Sequence, residues 1–463
     1  MKRKWISSIL ILCMICALAG CSSGQTIGGE TSGGEGGSST SGSGETVQLS
    51  VVDGVPSLEG DGPYCFVGEE MGLTDVSVNI FRESCSGEGN TMISPLSLIS
   101  ALTMTARGAE GQTLTQLEDA LGRDLDYFTV YLSSFLQSLT GRPAKFTSAN
   151  SVWFRDEENR LTVNDQFIVD AGAYFDADVF KAAFDKGTVK DINRWCSEKT
   201  DEMIPELVKE IKDDEVIRLL NAICFDAKWQ QPYVSHDVRD GEFLNAGGGT
   251  SKADFMYGQE SRYLENDTVK GFVKPYEGGF SFVALVPKAG VVMFDGMKPH
   301  QSAMQVAGGE TYGAHTGELT AEALMEYIKS LTGDDLRALL DSQQETIVKT
   351  KLPVFTSEYS VDLIPALEAL GVTDLFDEEA ADLSGMATSS RGNIYISKVF
   401  QKTFIEVDTE GTRAAAVTEI VASDCAAMET PEYKEVYLDR PFLYMIIDDA
   451  TGVPVFMGTV TEL

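Results

Sequence analysis

One segment near the C-terminus, residues 406–423, constrains the fold of this chain more than any other. It reads Glu406-Val-Asp-Thr-Glu-Gly-Thr-Arg-Ala-Ala-Ala-Val-Thr-Glu-Ile420. Successive side chains of a strand point to opposite faces of a sheet. In a strand here, one face would carry both charges, Arg413 and Glu419. The other face would be uncharged and mostly small: Thr412, Ala414, Ala416, Thr418, Ile420 and Ala422.

The start of this segment has a different character. Glu410-Gly-Thr-Arg413 suits an exposed hinge, because glycine adopts backbone dihedrals that other residues avoid. A segment that can form an exposed loop or a buried strand predicts a conformational switch. The alternative is an ordinary half-buried strand after a tight turn, since alternation is the usual strand signal.

Motifs elsewhere in the chain favour the switch. In chain order they are Asn90-Thr-Met-Ile-Ser-Pro-Leu-Ser97, Gly108-Ala-Glu-Gly-Gln-Thr113, Ile192-Asn-Arg-Trp195 with Thr200 and Ile204, Leu220-Asn-Ala-Ile-Cys-Phe225 with Trp229, Lys351-Leu-Pro-Val-Phe355, Leu370-Gly371, Asp382-Leu-Ser-Gly-Met386, Arg440-Pro-Phe442 and Phe456-Met-Gly458. Together with residues 406–423 they resemble, in the same order, the landmarks of the serpins, a family of serine-protease inhibitors. The first of them is similar to the family's start of helix B, and the resemblance covers roughly residues 75–463.

The resemblance implies an α+β protein with the serpin fold: about nine helices around three β-sheets, with an exposed reactive-centre loop. It also implies a mechanism. A serine protease attacks a carbonyl of the loop and forms an acyl-enzyme. The cleaved loop enters the large sheet as a new strand and drags the protease across the molecule before water can release it. We therefore expect a monomeric suicide inhibitor without catalytic residues, cofactor or metal, whose partner is a serine protease.

The resemblance assigns roles within the loop. The hinge would comprise Glu410, Gly411, Thr412, Ala414, Ala415, Ala416 and Thr418. Counting fourteen residues on from Gly411, as in the family, places the reactive bond between Cys425 and Ala426. The segment up to Arg440 is about five residues longer than in well-known animal serpins, by our own alignment. Ala427, Met428 and Glu429 are therefore alternatives for the reactive bond.

A second set of residues matches the serpin shutter and breach, the regions where the large sheet opens. Ser94, Ser97 and Asn221 match the shutter, and Trp229 matches the large aromatic residue of the breach. The family commonly has a histidine in the shutter, and here Gln401 takes its place. An amide can still donate and accept hydrogen bonds. The simpler interpretations are a helix N-cap for a serine, a buried amide for Asn221 and core packing for Trp229.

The segment Ala422-Ser-Asp-Cys-Ala-Ala-Met428 contains no lysine or arginine. A trypsin-like pocket has a buried carboxylate that would stay unpaired against such a loop. Small or slender apolar side chains suit the shallow pocket of an elastase-like or subtilisin-like protease. We therefore expect a target of one of these two types.

The N-terminus resembles a bacterial lipoprotein signal. Lys2-Arg3-Lys4 precedes an apolar stretch, residues 5–19, that is too short for a span of about 20 residues. Leu18-Ala-Gly-Cys21 resembles a lipobox. We expect residues 1–20 to be a signal peptide and Cys21 to carry diacylglycerol and palmitate, which would anchor the protein in a membrane on the extracellular side of the bacterial envelope. The alternative is an ordinary secretory signal with an incidental cysteine.

Composition divides the following residues. Residues 21–49 read as the lipidated cysteine and a flexible tether rich in Gly and Ser, because they lack the apolar side chains that repay the entropy of ordering. Residues 50–74 are an extension of uncertain structure, and residues 75–463 are the serpin domain. The formal net charge of −35 argues against nucleic-acid binding, which needs a basic stripe.

Eight cysteines and three histidines form no recognisable metal or catalytic motif. Cys196 and Cys224 read as core residues, and whether Cys65 and Cys85 form a disulfide stays open. His300 and His315 lie in a Gly/Ala/Thr-rich stretch, 288–320, that reads as an insertion. Two alternatives to the inhibitor remain: a non-inhibitory serpin acting as a surface binding or chaperone-like protein, and a hydrolase with Cys425 as nucleophile, which would need a base nearby.

Overall fold

The computed structural model describes residues 46–50, 72–156, 160–288, 317–412 and 433–463. Within these ranges the chain forms nine α-helices and eighteen β-strands, which we number in chain order. The helices are α1 (Leu73–Ser84), α2 (Pro95–Ala106), α3 (Gly111–Leu121), α4 (Leu125–Leu139), α5 (Asp165–Phe175), α6 (Lys186–Lys199), α7 (Gly317–Ser330), α8 (Gly333–Asp341) and α9 (Ile364–Ala369). Two short 3₁₀ helices span Ser235–Asp237 and Asp374–Phe376.

Seven strands form a mixed sheet that we call the large sheet. In spatial order they are β1 (Val47–Leu49), β5 (Asp178–Ala182), β3 (Lys145–Arg155), β6 (Ile217–Lys228), β15 (Gly411–Thr412), β14 (Ile396–Val407) and β12 (Phe355–Asp362). Strands β6 and β14 run parallel to each other, and β15 is antiparallel to both.

A nine-stranded sheet and a two-stranded sheet complete the strands. The order in the larger of these two is β16 (Tyr433–Tyr437), β11 (Gln344–Pro353), β8 (Thr250–Glu265), β9 (Val269–Pro275), β10 (Phe280–Pro287), β17 (Phe442–Asp448), β18 (Pro454–Val460) and β2 (Thr91–Ile93), with β7 (Val238–Leu244) paired to β8. The two-stranded sheet pairs β13 (Ala387–Ser389) with β4 (Leu161–Val163).

Helix α2 lies at the centre of the core, because it carries no charged side chain and can be buried on every face. All twelve of its residues are buried, and it contacts β3 and β6 of the large sheet and β18 of the nine-stranded sheet. Ser94 is its N-cap and accepts a hydrogen bond from the Ser97 backbone N–H, while Pro95 occupies the first turn, where a missing N–H costs nothing. A strictly amphipathic helix could not contact both sheets in this way.

Helix α6 covers part of the large sheet through a second, smaller cluster. Ile192 and Trp195 of the helix pack with Trp153, Phe180 and Leu220 of the sheet. The helix begins with a capping box, in which Asp185 accepts from the Thr188 backbone N–H and the Thr188 side chain accepts from the Asp185 backbone N–H. Cys196 and Cys224 are buried here, as the sequence predicts, and burial raises the pKa of Cys196 to about 12. Both are core thiols.

Two details differ from expectation at the edges of the domain. Strand β1 lies within the residues assigned to the flexible tether, so residues 47–49 are ordered by pairing with β5. Helix α1 begins at Leu73, two residues before residue 75, where we expected the serpin domain to start. Cys85 is a buried free thiol, and Cys65 lies outside the described residues.

The described part of the chain contains no helix long and apolar enough to cross a membrane. The apolar stretch 5–19, Cys21 and residues 22–45 of the tether lie outside the described residues, as do 289–316 of the expected insertion. Within the described ranges, nine helices around three sheets match the predicted fold.

Candidate functional site

The large sheet is closed along most of its centre and open at one end. Strands β6 and β14 pair directly from Ile217 and Ile396 to Cys224 and Phe404. Beyond this point the two strands separate and β15 lies between them. In β15, Gly411 pairs with Lys228. The described residues therefore contain a two-residue central strand, and residues 413–432 lie outside them.

A tight turn, residues 408–411, connects β14 to β15. The Asp408 carboxylate accepts hydrogen bonds from the backbone N–H groups of Glu410, at 2.8 Å, and Gly411, at 3.0 Å. The Asp408 N–H donates to the Gly411 carbonyl at 2.9 Å. Such aspartate-capped turns hold the backbone without help from a sheet. We call this segment the hinge turn.

Gly411 is required in the hinge turn for a steric reason. A Cβ atom there would lie 2.1 Å from the Ala227 carbonyl oxygen, so only glycine fits against β6. Its φ is not positive. The sequence suggested that glycine is needed here for its backbone freedom. The structure shows instead that glycine is needed because two strands approach each other closely.

Three backbone carbonyls of the hinge turn accept hydrogen bonds from the segment that follows β6. The Trp229 indole N–H donates to the Asp408 carbonyl and the Trp229 backbone N–H to the Glu410 carbonyl, both at 2.9 Å. The Tyr233 backbone N–H donates to the Thr409 carbonyl at 2.9 Å. Trp229 is fully buried. It does more than pack in the core, because its two N–H groups bind two of the three carbonyls.

Thr412 is fully buried, on the inward face that the strand alternation predicts for it. Its hydroxyl lies 2.6 Å from the Tyr276 hydroxyl, and burial raises the pKa of Tyr276 well above its ordinary value. The Tyr276 ring stacks on Trp229 with centroids 4.2 Å apart and an interplanar angle of 11°. The start of β15 is therefore fixed by its side chain as well as by its backbone.

A second network joins β6 to β14 where they pair directly. The Gln401 amide oxygen accepts from the Ser94 N–H at 2.8 Å, and its amide nitrogen donates to the Ser94 carbonyl at 3.1 Å. The same nitrogen donates to the Asn221 side-chain oxygen at 3.0 Å. Gln401 therefore replaces a histidine with an amide that makes bonds to α2 and β6 at once.

Asn221 is the centre of this network. Its amide nitrogen donates to the Ser97 hydroxyl and, at 2.6 Å, to the Asn150 side-chain oxygen. Asn150 in turn donates to Ser100 at 3.1 Å, and the hydroxyls of Ser97 and Ser148 are 2.5 Å apart. Every side chain in this set is neutral at physiological pH. We call the set the mid-sheet network: Ser94, Ser97, Ser100, Ser148, Asn150, Asn221 and Gln401.

The structure thus brings Ser94, Ser97, Asn221 and Gln401 together, and it places Trp229 apart from them at the open end of the sheet. Sequence reasoning missed Asn150, Tyr276 and Asp408. Asn150 faces Asn221 across the β3–β6 register, a relation that only the topology reveals. The remaining expected site residues lie outside the described residues: Ala414, Ala415, Ala416, Thr418, Cys425, Ala426, Ala427, Met428, Glu429 and Cys21. Within the described ranges no group of acidic, histidine and cysteine side chains could hold a metal ion.

Comparison with known proteins agrees with this geometry. A family model described as serpin (serine protease inhibitor) matches residues 71–303 and 319–463. The chain is 30% identical over 387 residues to leukocyte elastase inhibitor A of Mus musculus, covering 81% of this chain and 93% of that protein.

Two crystal structures of tengpin, a thermophilic serpin, are also similar. The native state is 37% identical with a TM-score of 0.74, covering 85% of this chain and 95% of tengpin. The latent state is 35% identical with a TM-score of 0.68, covering 87% and 98%. With a central sheet that is started but not completed by β15, and a family model that matches most of its length, the chain belongs to the serpin family.

Proposed function

We propose that this protein is a suicide inhibitor of serine proteases that traps the acyl-enzyme by inserting its cleaved loop into the large sheet. One observation carries the proposal: Gly411 and Thr412 already lie between β6 and β14. Insertion would extend an existing strand and would not have to nucleate a new one. An added strand gains main-chain hydrogen bonds to both neighbours.

The length of the loop supports the proposal. Continuing the register of Gly411 with Lys228, one loop residue for each residue of β6, would bring residue 422 level with Ile217, where β6 begins. Cys425 would then lie level with Asp214, just beyond the strand. A protease attached at Cys425 would travel the full length of β6, a strand of 12 residues, or about 40 Å at 3.3 Å per residue.

The composition of the loop supports it too. In the same register, Ala414, Ala416, Thr418 and Ile420 would share the inward face of Thr412. All are small or apolar, so none would bring an unpaired charge into the core, which would cost several kcal/mol. Arg413 and Glu419 would face outward.

The proposed target is an elastase-like or subtilisin-like serine protease. The absence of lysine and arginine from residues 422–428 supports this choice. Relatives at about 30% identity are named leukocyte elastase inhibitors, in mouse and in human. The acidic chain would also accelerate encounter with a basic protease at low salt.

The proposed location is the outer side of the bacterial envelope, with the lipid on Cys21 as anchor. The support is the lipobox-like Leu18-Ala-Gly-Cys21 and the charged start of the chain. Two acyl chains or more would make attachment durable.

The test is mass spectrometry after mixing the protein with an elastase, a subtilisin and trypsin, with denaturing gels in parallel. We expect a denaturation-stable complex with the elastase or subtilisin, slower complex formation with trypsin, and a cut within residues 424–429. Clean cleavage without a complex would indicate a non-inhibitory serpin. Turnover of a substrate that needs the thiol of Cys425 would indicate a hydrolase. Faster complex formation with trypsin would overturn the target assignment.

A further inference from the structure

A buried ion pair lies directly behind the segment that holds the hinge turn. The Lys274 ammonium on β9 is 2.8 Å from the Glu260 carboxylate on β8. Lys274 is 3% and Glu260 8% exposed. The ammonium also donates to the Gln231 carbonyl at 3.0 Å. Burial raises the pKa of Glu260, and Lys274 opposes that shift.

Lys274 contacts the hinge-holding segment, residues 229–233, at three points. Its ammonium lies 4.3 Å from the ring centroid of Tyr233 and 5.2 Å from that of Trp229, within the range of cation–π attraction. The third point is its bond to Gln231. Trp229 and Tyr233 are the two residues whose N–H groups hold the carbonyls of the hinge turn. The ammonium is therefore one contact removed from the hinge.

A contribution to the stability of the fold does not by itself explain why a buried ion pair lies at this position. Replacing a buried ion pair by apolar side chains of similar size is often neutral or stabilising. A single ammonium that meets two rings and a carbonyl, by contrast, fixes the relative positions of all three. The pair is suited to holding residues 229–233 in one geometry.

We propose that Lys274, oriented by Glu260, is a positioning residue for loop insertion. It acts through Trp229, Gln231 and Tyr233 to keep the hinge turn in the conformation that the inserted strand requires. The proposal rests on the inhibitory function proposed above. After acylation the loop either inserts or the acyl-enzyme is hydrolysed, and a hinge that is already formed favours insertion.

The experiment replaces both charges, with Lys274→Met and Glu260→Gln in one variant, so that no unpaired charge is left in the core. Three quantities are measured: the stoichiometry of inhibition (inhibitor molecules consumed per protease inhibited), the association rate constant, and amide hydrogen exchange of peptide 405–412. We expect the stoichiometry to rise about threefold or more, and exchange at the hinge turn to accelerate by a similar factor. The association rate constant should change less than about twofold, because Lys274 does not meet the protease.

A matched control separates the hinge from general loss of a buried pair. Arg218 and Glu215 form another buried ion pair, at the opposite end of β6, with side chains 4% and 6% exposed. Arg218→Met with Glu215→Gln should leave the stoichiometry and the exchange at 405–412 near the wild-type values. Lys274→Arg keeps the cation and should restore most of the wild-type behaviour.

Wild-type exchange at the hinge turn in the Lys274/Glu260 variant would overturn the proposal, as would an equal rise of stoichiometry in the Arg218/Glu215 control. Failure of the wild-type protein to trap any protease would instead contradict the inhibitory function. Hydrogen exchange would still test Lys274 in that case, because it needs no protease.

Discussion

The middle and the hinge end of the seam between β6 and β14 are held together by different chemistry. The mid-sheet network joins them through side-chain amides and hydroxyls, and the strands pair directly beside it. At the hinge end, Trp229 and Tyr233 hold backbone carbonyls of a turn, and β15 already separates the strands. An entering strand must break the Gln401–Asn221 hydrogen bond and the direct pairing beside it, but it can keep all of the bonds to the hinge turn.

This difference indicates where the large sheet begins to open. A net hydrogen bond contributes about 1 kcal/mol, so the mid-sheet network is a barrier of modest size that delays opening without preventing it. The direct β6–β14 ladder would be replaced by two ladders, one on each side of the new strand. Opening should therefore proceed from the hinge end toward the middle.

The strongest test of this contrast is Thr412→Arg, which places a charge where β15 enters the sheet. Thr412 is fully buried, so an arginine at this position would lose its hydration without gaining a partner. We expect loss of the denaturation-stable complex, with the loop cleaved as an ordinary substrate. Thr409→Arg is the control, because Thr409 is partly exposed in the hinge turn. Unchanged stoichiometry of inhibition in Thr412→Arg would contradict the insertion model.

Cutting the loop near Cys425 should raise the thermal stability, because insertion completes the sheet. We expect the midpoint of thermal unfolding to increase by about 10 °C or more, which corresponds to several kcal/mol. A scan of cleaved and intact protein by circular dichroism measures the shift. An ordinary nicked loop would leave the midpoint level or lower it, and that result would indicate a serpin that does not insert.

Asn221→Ala tests the mid-sheet end of the comparison. Asn221 is 4% exposed and bonds Ser97, Asn150 and Gln401, so truncation leaves buried polar groups unpaired. We expect a loss of about 2–4 kcal/mol in the free energy of unfolding, measured in urea. Hydrogen exchange at the hinge turn should stay at the wild-type rate, since Trp229 and Tyr233 are untouched. Faster exchange there would show that the two regions are coupled.

Gln401→His should have the smallest effect and one that depends on pH. A histidine buried at this position has its pKa lowered by burial, so the folded protein favours the neutral ring. Stability should be complete above the unfolded pKa of about 6.5 and should fall by about 1 kcal/mol as the pH drops to 5.5. The wild-type network has no group that titrates in this range. Thermal scans at pH 7.5 and 5.5 compare the two proteins, and equal pH dependence would contradict the expectation.

Ordered motifs in the sequence were enough to predict the fold and to name four residues of the mid-sheet network: Ser94, Ser97, Asn221 and Gln401. Asn221 and Gln401 were recognisable because each occupies a landmark of a familiar strand. Tyr276, Lys274 and Glu260 were not, because a glutamate on β8, a lysine on β9 and an aromatic residue just after β9 look like any others. Their importance comes from two sheets meeting at one place, which no local pattern encodes.

Strand β1 also shows that a local sequence pattern does not encode contacts made through the tertiary structure. Three residues of a polar segment, Val47, Gln48 and Leu49, join the sheet because the edge of β5 is available to them. Gln48 adds a bond to Asp178 at 2.7 Å. Composition predicts no such strand, since a neighbouring edge supplies most of the stabilisation.

The position of the hinge turn has a consequence for how such a protein can evolve. The hydrogen bonds described above that hold the hinge turn and Thr412 come from residues before Gly411 in the chain, among them Trp229 and Tyr276. The side chains that a protease would read lie after it. Mutations can therefore exchange one recognition sequence for another while the trapping apparatus is inherited intact, as long as the uncharged face is kept. Duplicated genes of this kind could acquire new protease targets through changes confined to the loop.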